Sequence, residues 1–181
     1  ACDMYGKGRR ASTAQEARAL AGEIRADRPL LRRRAQAALE TLKKHPLSDA
    51  TRTAAIGFCF GGTTVLELAR SGADVPCVIG FHSGLGTSTP AAKGAIKGKV
   101  MVCLGSEDPI ISAADRETFV GEMSAAGADW QMLLLGGVGH SFTNREVDAM
   151  GLPGFGYDEA ADHRSWRAMR GLLDETLGPV G

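Results

Sequence analysis

Residues 57–62 read Gly57-Phe58-Cys59-Phe60-Gly61-Gly62 and follow directly on the apolar run 54–56. The G-x-C-x-G-G pattern is typical of a nucleophile elbow, a sharp turn that ends a strand and begins a helix. Such a turn raises Cys59 clear of the backbone beside the helix N-terminus, where the helix dipole favours a thiolate. Small residues on either side let strand and helix approach closely, and we assign this role to Gly57 and Gly61. The alternative is a buried structural cysteine, so the motif needs support from elsewhere in the chain.

A cysteine nucleophile needs a base, and the base needs a group that orients it. Asp108 follows the apolar run 100–104, and His140 comes shortly after the apolar run 130–135. Both positions lie just past a predicted strand, and the carboxyl ends of parallel strands share one edge where ligands bind. We therefore expect Cys59, Asp108 and His140 to converge, in the chain order nucleophile, acid, histidine. Glu107, beside Asp108, is the alternative acid.

Helix and strand patterns alternate along the chain. Strands are predicted near 53–58, 75–81, 99–105 and 130–136, and helices near 60–71, 112–126 and 157–177. Two helices precede them, the first after overlapping capping boxes at residues 12–16 and the second with Pro29 in its first turn. The alternation predicts an α/β fold with a mostly parallel sheet, in one domain over residues 1–181.

The composition excludes several classes of protein. The chain has 181 residues, of which 44% are apolar, and its 21 basic and 21 acidic residues leave no net charge. A neutral chain is poorly suited to bind nucleic acid or a membrane surface, and no apolar stretch approaches the length of a membrane span. The four cysteines form no CxxC or Cys/His metal spacing, so we expect no metal site, no disulfide framework and a reducing cytoplasm.

These motifs together resemble the dienelactone hydrolase family. The resemblance is carried by residues 2–6 (Cys2-Asp3-Met4-Tyr5-Gly6), 57–62, 105–109 and 139–142, and it extends over essentially the whole chain. It implies the α/β-hydrolase fold, a three-layer sandwich, with a Cys-Asp-His triad at Cys59, Asp108 and His140. It also implies hydrolysis of small esters or lactones through an acyl-thioester, without metal or organic cofactor. The backbone N–H of Phe60 is the expected first donor of the oxyanion hole.

Two departures from the family pattern limit what the resemblance implies. Residue 1 aligns inside the family's sequence, so the first strands, roughly 60 to 80 residues at the usual size of a βαβ unit, are expected to be absent. Their loop normally supplies the second oxyanion donor, and their loss would expose a sheet edge that favours aggregation. The family's two carboxylate-binding arginines fall at Lys7 and Asn144, with Arg145 one position later. Lysine lacks the bidentate geometry of arginine, so we expect a broader ester or lactone hydrolase.

Four further residues are predicted to border the substrate: Tyr5, Lys7, His82 and Arg145. His82 follows the strand near 75–81 at the catalytic edge and could compete with His140 as the base, although chain order favours His140. The expected partner is a small-molecule ester or lactone, bound by a monomer or a homodimer. Two other functions stay open: a thiol acyltransferase, and a non-catalytic fragment that binds a partner through its sheet edge.

Overall fold

The computed structural model describes residues 1–179, in which helices and strands alternate. Along the chain they are α1 (Ala14–Ala26), α2 (Arg28–Lys43), β1 (Ala54–Phe58), α3 (Phe60–Arg70), β2 (Cys77–Phe81), β3 (Lys99–Gly105), α4 (Ala113–Ala126), β4 (Trp130–Leu135), a short 3₁₀ helix (Val147–Met150) and α5 (Glu159–Leu177). The strands and the later helices begin and end within two residues of their predicted positions. The apolar runs and the residues that stop them are therefore sufficient to locate these elements.

The sheet has the strand order β1-β2-β3-β4, and all neighbouring strands are parallel. Phe58, the last residue of β1, pairs with Phe81, the last residue of β2. Cys59 and His82 follow these two residues, so they lie side by side at the carboxyl edge of the sheet. This edge is where ligands bind in an open parallel sheet.

The two faces of the sheet carry separate apolar cores. Alternate residues of β2 and β3, such as Val78 and Val102, pack with α2, α3 and α4 on one face. The intervening residues, such as Ile79 and Met101, pack with α5 on the other face. Because side chains alternate across a strand, both faces of the central strands are apolar and both are covered. The predicted three-layer α/β architecture is confirmed.

Strand β1 has a neighbour on one side only within residues 1–179. Ile56 and Phe58 on this strand are 41% and 42% exposed, although the Phe58 ring stacks on that of Phe81. The predicted open edge is therefore present in the described part of the sheet. None of the helices in residues 1–179 combines the length and hydrophobicity required to cross a bilayer.

A buried ionic cluster holds helix α3 against its neighbours. The fully buried carboxylate of Glu67 lies 2.8 Å from Arg32 of α2 and 3.0 Å from Arg70 of α3, with Arg28 at 3.8 Å. Arg70 also contacts Glu122 of α4 at 2.7 Å. Buried charges are tolerated only when they are paired in this way. The cluster therefore fixes α3, the helix that begins at the elbow, relative to α2 and α4.

Candidate active site

Cys59 occupies the turn between β1 and α3 in a strained backbone conformation. Its φ of 48° and ψ of −114° lie in a region that residues other than glycine rarely adopt. Its N–H donates to the carbonyl of Phe81 at 3.0 Å, and its carbonyl accepts from the N–H of Thr63 at 3.1 Å. Strand β2 and the first turn of α3 thus hold the turn at both ends. The thiol is raised at the helix N-terminus, as the motif predicted.

The close approach of strand and helix depends on Gly57 and Gly62. A Cβ atom on Gly57 would overlap the backbone of Gly61 and Gly62, and one on Gly62 would overlap the side chain of Ser83. A Cβ atom on Gly61 would meet open space. The expectation that Gly61 makes room for the elbow is therefore wrong, because its backbone, and not its missing side chain, faces Gly57.

The three predicted catalytic side chains are brought together at the carboxyl edge of the sheet. Cys59 Sγ lies 3.4 Å from His140 Nε2, and His140 Nδ1 lies 2.7 Å from Asp108 Oδ2. His140 and Asp108 are buried, at 5% and 6% exposure. The backbone of His140 is held by Gly154 and Gly156, since its N–H donates to the first and its carbonyl accepts from the second. The imidazole therefore lies between a thiol and a carboxylate.

Asp108, not Glu107, is the carboxylate that contacts the histidine. The other oxygen of Asp108 accepts the N–H of Ile110 at 2.8 Å, which holds the carboxylate in place. Glu107 is exposed, and its side chain accepts a hydrogen bond from the neighbouring Ser106. The alternative acid that the sequence left open is thus outside the cluster.

A second imidazole also contacts the thiol. His82 Nδ1 lies 3.1 Å from Cys59 Sγ, and His82 Nε2 lies 2.9 Å from the hydroxyl of Thr143. His82 is 1% exposed and, like Cys59, has a positive φ, here 38°. Its ring packs edge-on against His140 and Phe142. Both rings of the pair therefore present one nitrogen to the same sulfur.

Sequence reasoning missed three residues around this cluster. The hydroxyl of Ser141 lies 3.3 Å from Cys59 Sγ, and Thr143 contacts His82 as described. The Phe155 ring packs edge-on against His140, with ring centroids 4.8 Å apart. Ser141 and Thr143 stand one and three residues after His140 in the sequence, and this proximity was the available signal. Phe155 comes close only because its segment pairs with His140.

The contacts of the thiol reverse the effect of burial on its acidity. Burial raises the pKa of Cys59, but the hydrogen bonds with His140, His82 and Ser141 outweigh it and lower the pKa to about 5. Burial lowers the pKa of His140, yet the hydrogen bonds with Asp108 and Cys59 raise it to about 9. Near neutral pH the proton therefore belongs on the imidazole and the charge on the sulfur.

The remaining cysteines in the sheet behave differently. Burial raises the pKa of Cys77 to about 11 and that of Cys103 to about 12. Both are fully buried within strands, as predicted. A thiol that stays protonated is a poor nucleophile, so the acidity of Cys59 sets it apart from the structural cysteines.

The other predicted site residues lie at varying places around the elbow. Phe60 is the first residue of α3, so its backbone N–H has no acceptor inside the helix. The Tyr5 ring stacks on that of Phe60, with centroids 6.0 Å apart, and the Arg25 guanidinium lies 5.2 Å from the Phe60 ring centre. This aromatic pair with its arginine borders the helix start that carries the nucleophile.

The two predicted cationic residues of the substrate site are both exposed. Lys7 lies in a loop with φ of 55°. The Arg145 guanidinium lies 4.8 Å above the ring of Tyr157. Within the described residues, neither side chain forms a hydrogen bond or ion pair with Cys59. Their part in substrate binding therefore stays a prediction.

Comparisons with known proteins identify the family of this chain. The model of the dienelactone hydrolase family matches residues 1–177. The solved structure of m3DLH has a TM-score of 0.90 and 43% identity, over 97% of this chain and 73% of that one. A dienelactone hydrolase-like promiscuous phosphotriesterase, P91, from metagenomic libraries has a TM-score of 0.87 and 40% identity over the same shares.

A relative from Caenorhabditis elegans, the uncharacterized protein K02A2.1, is 35% identical over 152 residues, which make up 81% of this chain and 94% of that protein. The family match runs from the first residue through α5, so it includes every element of the described sheet. The chain belongs to the dienelactone hydrolase family.

Proposed function

We propose that this chain hydrolyses small carboxylic esters or lactones, with Cys59 as the nucleophile. In this proposal His140 is the general base and acid, and Asp108 orients it. The observation that carries the proposal is the unbroken series of contacts from Cys59 Sγ to His140 Nε2 at 3.4 Å and from His140 Nδ1 to Asp108 Oδ2 at 2.7 Å. A nucleophile beside a base that a third group orients is the arrangement used in acyl transfer.

The first half of the reaction forms an acyl-thioester. The Cys59 thiolate attacks the carbonyl carbon, a C–S bond forms, and one carbonyl electron pair moves onto oxygen. In this proposal the backbone N–H of Phe60, at the helix N-terminus, donates to that oxyanion. When the oxyanion collapses, the C–O bond of the ester breaks and His140 gives its Nε2 proton to the departing alkoxide. With a lactone, the alcohol formed stays attached to the acyl group.

The second half of the reaction releases the acid. Neutral His140 now accepts a proton from water as the water oxygen attacks the thioester carbonyl. The C–S bond breaks, the carboxylic acid leaves, and the sulfur returns as the thiolate beside protonated His140. Asp108 stabilises the imidazolium in both halves and keeps Nε2 directed at the sulfur.

We assign the role of general base to His140 and not to His82, because different groups contact the far nitrogen of each ring. A carboxylate contacts the far nitrogen of His140, whereas the far nitrogen of His82 contacts the neutral hydroxyl of Thr143. Of these two groups, only the carboxylate carries a negative charge that compensates a positive charge on the ring. His82 is proposed to hold the sulfur in place through Nδ1 and to border the bound substrate.

The proposed acyl site extends from the sulfur over the stacked rings of Phe60 and Tyr5. Lys7 and Arg145 stand in this proposal at the rim, where they would contact a polar end of the substrate. Neither offers the buried bidentate clamp that would demand a carboxylate, so the substrate range is expected to be broad. Small apolar acyl groups are the best match for a surface formed by these two aromatic rings.

The decisive experiment is hydrolysis of 4-nitrophenyl acetate at neutral pH by the wild-type chain and its Cys59→Ala variant. The wild type should release nitrophenolate and the variant should not. Cys2→Ser is the matched control, because Cys2 is an exposed thiol outside the cluster and should be dispensable. Mass spectrometry of the quenched reaction should find one acetyl group on Cys59.

Two outcomes would contradict the proposal. The first is undiminished turnover in Cys59→Ala, which would place the nucleophile elsewhere. The second is an acetylated Cys59 that water does not discharge but an added alcohol or amine does. That result would favour the thiol acyltransferase.

Phosphotriesters are a second candidate substrate class. The observation that favours them is the 40% identity, over 97% of this chain, with the promiscuous phosphotriesterase P91. The thiolate would displace the aryloxide at phosphorus, and water activated by His140 would then displace the sulfur. Release of nitrophenolate from a dialkyl 4-nitrophenyl phosphate, dependent on Cys59, would support this activity, and its absence would exclude it.

A further inference from the structure

Three possible metal ligands converge at the elbow. Cys59 Sγ, His82 Nδ1 and His140 Nε2 all lie within 4.8 Å of one another, and both histidines are buried. They come from three different loops, with Cys59 separated from the histidines by 23 and 81 residues. The sequence shows no Cys/His spacing for this reason. We infer that these three atoms form a binding site for one thiophilic divalent cation, best matched by Zn²⁺, which blocks the nucleophile while it is bound.

The distances around the sulfur fit a tetrahedral zinc ion. Zinc binds sulfur at about 2.3 Å and nitrogen at about 2.0–2.1 Å, which separates the two ligand atoms by about 3.5 Å in a tetrahedron. The separations here are 3.1 Å to His82 and 3.4 Å to His140. These two separations therefore need to open by only a few tenths of an ångström, and the two nitrogens lie within 4.8 Å of each other.

The outer contacts of both rings are those that metal-binding histidines require. A metal-bound imidazole normally has its second nitrogen hydrogen-bonded, which fixes the tautomer and the ring orientation. His140 has the Asp108 carboxylate at that position, and His82 has the Thr143 hydroxyl. The inner nitrogen of each ring lies within hydrogen-bonding distance of the sulfur.

The ligand set selects the kind of ion. One thiolate and two imidazoles suit Zn²⁺, whereas Mg²⁺ and Ca²⁺ prefer oxygen ligands. The fourth position would be taken by water or by the Ser141 hydroxyl, which lies 3.3 Å from Cys59 Sγ. The three protein ligands thus leave the fourth position for one of these oxygen ligands.

If Cys59 is the nucleophile as proposed, a bound ion would inhibit hydrolysis by occupying the electron pair of the sulfur. The sulfur lone pair that attacks the ester would be donated to the metal. His140 Nε2 would release its proton to solvent and bind the metal, so it could no longer exchange a proton with substrate or water. Ester and metal would compete for the same atoms. Inhibition would be reversed by a chelator, because the sulfur is not oxidised and no covalent bond of the protein is broken.

Direct binding tests the site without any substrate. Metal-free protein carrying Cys2→Ser, which removes the exposed thiol, is titrated with ZnCl₂ in competition with a chromogenic chelator. One equivalent should bind at micromolar or lower concentration. CoCl₂ in place of zinc should give a thiolate-to-cobalt charge-transfer band and the strong visible bands of four-coordinate cobalt.

Three further variants locate the ion. Cys59→Ser should abolish the charge-transfer band, and His82→Asn should weaken binding at least about tenfold, the lower end of what loss of a supporting group costs. Asparagine suits the positive φ of His82, so this variant keeps the backbone while removing the imidazole. His163→Asn, at an exposed position on α5, should bind as tightly as the parent.

The inference is overturned if the parent protein binds no zinc in this range, or if Cys59→Ser and His82→Asn, both still folded by circular dichroism, bind as the parent does. These outcomes are separate from the hydrolase proposal, since an inactive chain can bind the metal and an active chain can fail to bind it.

Discussion

His140 Nδ1 lies 2.7 Å from Asp108 Oδ2, and both side chains are buried. The two residues are 32 positions apart and follow β4 and β3, two adjacent parallel strands. A buried carboxylate at this distance stabilises a proton on the imidazole and fixes the direction of the opposite nitrogen. The pairing therefore determines both the charge of the ring and the atom that it presents to Cys59.

Replacing Asp108 by Asn should leave the fold intact and lower kcat strongly. Loss of the equivalent carboxylate in a serine protease triad costs about 10⁴ in kcat, because the imidazole adopts the wrong tautomer. We expect a loss of that order for ester hydrolysis, measured with 4-nitrophenyl acetate. Glu107→Gln is the control and should keep full activity. The assignment fails if Glu107→Gln is the inactive variant and Asp108→Asn is not.

Alkylation of Cys59 by iodoacetamide should report a thiolate at unusually low pH. The pKa of Cys59 is about 5, so the rate should rise as pH increases through about 5 and stay level towards pH 9. In His140→Asn the midpoint should move up towards 9.0, the ordinary value of a thiol, because the largest hydrogen-bond contribution is lost. His82→Asn should also move it up, because a hydrogen bond and a charge interaction with His82 lower this pKa. All samples carry Cys2→Ser and are kept in chelator.

The pH profile of kcat/KM should be bell-shaped between the same limits. Activity falls as pH drops through about 5, where Cys59 is protonated, and falls as pH rises through about 9, where His140 loses the proton needed by the leaving group. A profile with a single rise near pH 9, the ordinary pKa of a thiol, would contradict the thiolate–imidazolium pair.

Replacing Gly57 or Gly61 by alanine should change the stability of the protein in opposite directions. Gly57→Ala forces a methyl group into the backbone of α3 and should destabilise the protein by about 1–3 kcal/mol or more. Gly61→Ala places its methyl group in open space within a helix and should stabilise it by up to about 1 kcal/mol. Urea denaturation measures both. Equal losses in the two variants would contradict the packing described for the elbow.

Removing the buried carboxylate of Glu67 should be costly. Glu67→Ala leaves three arginines around an empty position and should lower the free energy of unfolding by about 3–5 kcal/mol. Glu23→Ala is the matched control, because its ion pair with Arg9 is exposed on both sides and should contribute little. The same urea titration decides the comparison, and an unchanged midpoint for Glu67→Ala would show that the cluster contributes nothing to stability.

The alternating apolar runs predicted the α/β architecture because burial of strands and helices leaves a local signature of period two or 3.6. The elbow pattern predicted the nucleophile for a related reason, since a turn this tight admits few residue types. The choice of small residues was only half right. Gly57 is one position where a Cβ atom would not fit, but the other is Gly62 and not Gly61. The direction of each Cα–Cβ bond depends on the helix that follows the turn, and the motif alone does not give it.

The local patterns of this chain were enough to predict its parallel strands and the meeting of Cys59, His140 and an acidic residue after β3 at one edge. They could not choose between Asp108 and Glu107, which are adjacent and chemically alike. They also could not place His82 within hydrogen-bonding distance of Cys59, or pair it with Thr143. Those contacts join residues from different loops, and their distances follow from strand register and backbone dihedral angles that only the packed sheet determines.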